Sequence, residues 1–178
     1  MKLSLRGASK KRRGNPLIID AAAKIANGLP RSSYAIPRND DLWIQTIQFP
    51  SGEYLTRIYE AIASEEEVTI IGSMAPPTNN SLMKLISIID ATRNSGARNI
   101  TLIAPYLGYS RQNSMQIPYS SVGMKIISQM LEAVGVTRLV TVDIHSLESL
   151  SYFSIEVIHI SILEILSYYS SILNLNNV

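Results

Sequence analysis

The chain has 178 residues, of which 46% are hydrophobic and 17% charged, and a net charge of +2. That is enough to bury a core and excludes a disordered polyelectrolyte, while the charge is too small to argue for a nucleic-acid surface. There is no cysteine, so disulfides and thiolate zinc sites are excluded; no apolar run reaches the length of a membrane span, and a soluble, cytoplasmic protein with no membrane partner is expected.

Lys10-Lys11-Arg12-Arg13-Gly14 is the one dense charge run. It reads as a solvated N-terminal arm, residues 1–14, or as a phosphate-binding arm. RNA binding through it gains little support, because no aromatic residue interleaves with the cations. Leu17-Ile18-Ile19 is too short for a secretory signal, and Asp20 follows at once. From Leu17 to Leu29 the apolar residues recur at helical spacing, with Gly28 able to end a helix. Trp43 to Phe49 alternates like a strand, and Pro50-Ser51-Gly52 turns the chain. Glu66 to Gly72 is a short β-branched run of the kind buried strands show. Asn79 or Asn80 can cap a helix to about Asn94, closed by Ser95-Gly96.

The alternation then repeats. Asn99–Ala104 reads as a buried strand ended by Pro105. Ser121–Ala133 reads as a helix with Gly135 behind it, and Arg138–Val142 as a third buried strand. Strands alternating with helices imply an α/β fold with a mostly parallel sheet flanked by helices and joined by right-handed crossovers. From Ser149 to Val178 the only charged residues are Glu156 and Glu164. Ser161–Ile172 can be a helix whose apolar positions nearly surround it. Such a helix needs burial on most sides, so the tail packs on a partner or is poorly ordered.

Ligands of open parallel sheets bind outside the carboxyl ends of the strands. Three loops fall there. Ser73 to Asn80 is a proline turn feeding a helix start, either a capped turn or an anion site. Pro105-Tyr106-Leu107-Gly108-Tyr109-Ser110-Arg111-Gln112 suits a purine nucleotide: aromatic rings stack, Arg111 pairs with phosphate and Gln112 reads a base edge. It can equally be a tyrosine-rich hinge. Asp143 and His145, two apart at a strand end, suit a divalent ion carrying phosphate, or a structural Asp–His hydrogen bond.

In order, these segments resemble one family. Phe49-Pro50-Ser51-Gly52-Glu53 resembles the Phe-x-Asp-Gly-Glu turn of phosphoribosyl pyrophosphate synthetases (ribose-phosphate pyrophosphokinases). Pro77-Thr78-Asn79-Asn80-Ser81-Leu82-Met83-Lys84-Leu85 is similar to their Pro-x-Asn-Asp-x-Leu-Met-Glu-Leu. Pro105 to Asn113 looks like Pro-Tyr-x-Gly-Tyr-Ala-Arg-Gln-Asp, and Val142-Asp143-Ile144-His145-Ser146 like Val-Asp-Leu-His-Ala/Ser. Tyr152-Phe153 falls where the family has Phe-Phe. The likeness runs from about Asn15 to Val157, and it implies a phosphoribosyltransferase-like domain over 15–157 followed by an apolar tail, 158–178, where the family's second domain would begin. It also implies transfer of the β,γ-diphosphate of ATP to ribose 5-phosphate, with Mg²⁺, for nucleotide biosynthesis. On the same grounds Phe49, Ser51, Glu53, Arg111 and Gln112 would bind ATP, Glu53 reaching the adenine of a neighbouring subunit. His145 and Asp143 would lie at the metal–phosphate site. Family members assemble into oligomers through this half.

The departures from the family pattern point the other way. Ser51 and Asn113 each replace an aspartate, Glu148 a glutamine and Ser151 a glycine. Ser154 and Ile158 stand where some members place carboxylates near the metal. Ser114-Met115-Gln116-Ile117-Pro118 replaces a longer loop that carries a lysine and an arginine, and losing one such donor of charge stabilisation costs roughly 10²–10³ in rate. The loop that holds ribose 5-phosphate in the family lies beyond Val178. The expectation is a truncated, degenerate relative, inactive as a lone chain. The alternatives are a non-catalytic regulatory partner of a full-length synthetase and a nucleotide-binding module.

Overall fold

The computed structural model describes residues 17–20, 26–27, 44–59, 61–62 and 67–172. The basic arm, Trp43, Glu66 and residues 173–178 lie outside them. The elements are β1 (Leu17–Asp20), β2 (Ala26–Asn27), β3 (Ile44–Gln48), β4 (Tyr54–Ile58), β5 (Glu67–Ile71), α1 (Thr78–Asn94), β6 (Asn99–Ala104), α2 (Gly123–Ala133), β7 (Arg138–Val142), a 3₁₀ turn at Leu147–Tyr152, β8 (Glu156–Ile160) and α3 (Ile162–Ile172).

Five strands form an all-parallel sheet in the order β1-β5-β6-β7-β8. Because β5, β6 and β7 succeed one another in a single direction, right-handed crossovers place α1 and α2 on the same face. The burial pattern agrees. In register across that face lie Val68 with Ile100, Ile70 with Leu102, Leu102 with Leu139 and Ala104 with Thr141, all buried. Against them α1 packs Leu82, Leu85, Ile88 and Ile89, and α2 packs Met124, Ile127 and Leu131. The 3.6-residue spacing of these side chains is what makes each helix amphipathic. The opposite face carries a registered row, Ile71, Ile103, Val140 and Ile158, in which Ile71 and Ile158 are exposed.

A second sheet pairs β2 with β3 in parallel and β3 with β4 as a hairpin. Ser87 of α1 donates to Thr56 of β4 at 2.9 Å, which ties the hairpin to the helix.

The structure corrects two local readings and adds two strands, β4 and β8. Leu17–Asp20 is a strand, not the start of a helix, and Ala26–Asn27 is again extended; the rest of the expected helix to Leu29 lies outside the described residues. A short apolar run fits a buried strand or a helix equally well, and here parallel pairing with β5 decides. Helix α1 begins at Thr78 with Pro77 in the cap position and no side-chain cap bond, so neither Asn79 nor Asn80 caps it. Strand β4 was not read from the sequence. Neither was β8, whose Val157, Ile158 and Ile160 are apolar on both faces of the sheet and so show no clean alternation. The expected helix near Ser161–Ile172 is present as α3, with Leu163, Leu166, Tyr168, Tyr169 and Ile172 all more than half exposed.

Candidate functional site

The loops after β5, β6 and β7 are bonded to one another at the carboxyl edge of the sheet. Met74 N–H donates to the Tyr106 carbonyl at 3.0 Å, joining the first loop to the second. The Tyr109 hydroxyl donates to Asn79 Oδ1 in the first turn of α1. The second loop meets the region beyond β7 twice: Ser149 Oγ donates to the Ser110 carbonyl at 3.1 Å, and Tyr152 Oη to the Asn113 carbonyl at 2.7 Å. Close packing at Gly108 completes the junction. A Cβ there would stand 2.8 Å from Thr78 Cγ2 and 3.2 Å from Met74 Cβ, so the approach of the two loops requires glycine.

This junction sets the posture of Arg111 and Gln112. Tyr109 adopts a left-handed conformation, φ 64°, and turns the chain so that Gln112 N–H donates back to its carbonyl at 2.9 Å. The Gln112 carbonyl then accepts from Met124 N–H at 3.0 Å, in the first turn of α2. The Gln112 side chain lies over Gly123, where a Cβ would come 2.6 Å from Oε1. Arg111 is exposed, and no carboxylate among the described residues pairs with it. A guanidinium held on a braced loop without an internal counter-ion is suited to an anion from outside, above all phosphate.

Asp143 and His145 follow β7 in the third loop, both exposed. Asp143 is left-handed at φ 41°. Its N–H donates to the Ile160 carbonyl at 3.1 Å, and its Oδ1 accepts from Ile162 N–H at 3.0 Å, at the start of α3. No bond joins the Asp143 and His145 side chains. Among the described residues no group of three or more histidines and acids could enclose a metal. The pair fits a magnesium ion that arrives on phosphate oxygens, for which one or two protein groups suffice. Asp143 Oδ2 would be the hard oxygen open to such an ion; the His145 imidazole suits a hydrogen bond to phosphate or water better than direct ligation of Mg²⁺.

Phe49, Ser51 and Glu53 share the tip of the β3–β4 hairpin. Gly52, at φ 92°, makes the turn, with bonds of 2.8 Å from Gly52 N–H to the Phe49 carbonyl and from Phe49 N–H to the Glu53 carbonyl. Ser51 Oγ donates to Glu53 Oε2 at 2.7 Å, so the serine that stands for an aspartate holds the glutamate in place. All three residues are exposed. The tip's hydrogen bonds stay within the hairpin, and none joins it to the Arg111 loop.

The cation-free segment Ser114–Pro118 folds back on itself, with Gln116 Nε2 donating to Ser114 Oγ at 3.2 Å and Ile117 N–H to Ser120 Oγ at 3.3 Å. Met115 and Ile117 are exposed. Two supporting residues carried no sequence signal for this role: Tyr152 was seen only as an aromatic pair with Phe153, and His159 had no motif around it. His159 Nε2 accepts from Ile144 N–H at 3.3 Å, inside the third loop.

Residues 21–135 match the family model for the N-terminal domain of ribose phosphate pyrophosphokinase. A ribose-phosphate pyrophosphokinase of Campylobacter jejuni is 36% identical over 110 residues, which cover 62% of this chain and 35% of that protein. The chloroplastic ribose-phosphate pyrophosphokinase 2 of Spinacia oleracea is 34% identical over 113 residues, covering 64% of this chain and 28% of its own length. Among solved structures, the phosphoribosylpyrophosphate synthetase of Mycobacterium smegmatis superposes with a TM-score of 0.67 at 26% identity, over 72% of this chain and 43% of that one. The match thus spans about a third of the length of these curated relatives. Among the described residues no helix is long and apolar enough to cross a membrane.

Proposed function

This chain belongs to the ribose-phosphate pyrophosphokinase family, with the phosphoribosyltransferase-like α/β fold of its amino-terminal domain, and from that premise we propose that its strand-end loops form the ATP half of a diphosphotransferase site. Arg111 pairs with the phosphates and Gln112 with the nucleotide beside them. Asp143 holds the Mg²⁺ that the triphosphate carries, and His145 bonds a phosphate oxygen. Phe49, Ser51 and Glu53 reach the adenine of a neighbouring subunit in a homo-oligomer. The observation that carries this reading is the bonding of three loops into one junction, with an exposed Arg111 on it that pairs with no carboxylate among the described residues.

When bound, magnesium neutralises charge on the triphosphate. The chain's own residues grip and orient it. The family reaction also needs positive charge on the moving oxygens, and the Ser114–Pro118 loop supplies none. Transfer to ribose 5-phosphate by the residues described is accordingly slow or absent, and binding outlives chemistry. A sugar-phosphate half, on this polypeptide or another, completes the site.

A second reading has its own support. The registered row through Ile103 and Val140 ends in exposed Ile158, and α3 presents Leu163, Leu166 and Tyr169 to solvent. This apolar surface suits burial on a full-length synthetase in a hetero-oligomer that the chain tunes without catalysing. A joint peak on size exclusion of the co-expressed pair supports it, and separate elution excludes it. The first reading is tested by calorimetric titration with Mg·ATP.

A further inference from the structure

The third loop packs Ile144 against the core and is bonded from the segment beyond it. Three hydrogen bonds hold two consecutive positions of β7's extension, Asp143 and Ile144, from β8 and α3. Asp143 N–H donates to the Ile160 carbonyl at 3.1 Å, Ile144 N–H to His159 Nε2 at 3.3 Å, and Asp143 Oδ1 accepts from Ile162 N–H at 3.0 Å. Only the second of these runs to a side chain at the other end. It reaches across from β8, where His159 is half-buried opposite Thr141 in the parallel register.

We propose that His159 is a positioning residue for the nucleotide–metal loop: its unprotonated Nε2 holds Ile144 N–H, and through Ile144 fixes the Asp143 carboxylate and the His145 imidazole on either side. The inference rests on the ATP-site reading. A backbone amide can only donate, so the nitrogen that faces it must be bare, and the imidazole proton must sit on Nδ1. Asp143 is left-handed, a conformation uncommon outside glycine though more open to Asp than to most residues. The amide bonds on both sides of Asp143 Cα, to Ile160 and to His159, hold it there. Without the imidazole, the Ile144 amide loses its partner, the loop relaxes toward ordinary backbone angles, and the carboxylate leaves the place where it meets a phosphate-borne cation. Supporting groups one step behind a metal ligand are worth about 10–100-fold in metal affinity.

The chain has two histidines, so long-range ¹H–¹⁵N spectra of the imidazoles resolve His159 from His145 with a single His145→Gln control. At mildly alkaline pH, His159 is expected in the Nδ1–H form; an Nε2–H form overturns the proposal without reference to any ligand. Calorimetry with Mg·ATP supplies the second arm. His159→Leu should weaken binding by about tenfold, and His159→Gln, whose amide oxygen can accept from Ile144 at the same reach, should recover most of it. Equal affinity for the parent, Leu and Gln chains refutes the positioning role. Should the parent chain bind no Mg·ATP, the ATP-site reading fails by itself, and the tautomer still decides whether His159 holds the loop.

Discussion

Replacing Gly108 by alanine tests the junction of loops from which the site is built. The added Cβ would lie 2.8 Å from Thr78 Cγ2, 3.2 Å from Met74 Cβ and 3.5 Å from the Met74 carbonyl oxygen. Carbon atoms prefer about 3.5–4.0 Å, so the contact with Thr78 overlaps by roughly 1 Å. Neither neighbour yields easily. Thr78 is β-branched and sits in the first turn of α1, where its side chain has few rotamers. Met74 is fully buried, and its Cβ moves only with its backbone. The loops must therefore part, at an overpacking cost of about 1–3 kcal/mol. Loss of glycine's freedom in the unfolded chain offsets about 0.4–1 kcal/mol of this. A net loss of roughly 1–2 kcal/mol is expected in urea denaturation. Because Arg111 lies three residues on, Mg·ATP affinity should fall as well. Stability within about 0.5 kcal/mol of the parent, the range of an inconsequential surface change, would refute the packing of these loops.

Three other perturbations separate the parts of the account. Tyr109→Phe removes the bond to Asn79 while keeping the ring; a loss of about 0.5–1.5 kcal/mol is expected by denaturation, and no loss would mean that bond does not brace the loop. Thr141 is fully buried, and its Oγ1 has no partner among the described residues; Thr141→Val should leave the midpoint unchanged or raise it, since an unsatisfied hydroxyl costs about 1–3 kcal/mol to bury, and a clear fall would reveal a partner for that oxygen. Leu163 and Leu166 are 72% and 54% exposed. Changing both to glutamine should shift the stability of the isolated chain by less than about 0.5 kcal/mol yet abolish co-elution with a full-length synthetase; a large loss of stability in the isolated chain would show that α3 is already buried.

Most of the parallel sheet was legible because its strands are short β-branched runs, one closed by Pro105, set apart by helices that end before Gly96 and Gly135. The helices α1 and α2 were legible because their buried residues follow the helical period. Leu17–Asp20 was misread because local spacing does not contain the long-range pairing with β5. At the candidate site, Arg111, Gln112, Asp143 and His145 were singled out by their places at strand ends. The residues that brace them were not. Gly108 meets Thr78 across 30 positions, Tyr152 meets Asn113 across 39 and His159 meets Ile144 across 15, and such contacts appear only once the chain is folded. Asn79, read with Asn80 as a possible helix cap, instead accepts from Tyr109, and Pro77 holds the cap position.

Titration of the purified chain with Mg·ATP in a calorimeter, beside Arg111→Ala, bears most directly on the claim that these loops form a nucleotide half-site. Binding at micromolar concentration, on the order of 8 kcal/mol, that is lost or strongly weakened in the variant is the expected result. No heat at high nucleotide concentration, or equal binding by the parent and Arg111→Ala, would contradict it.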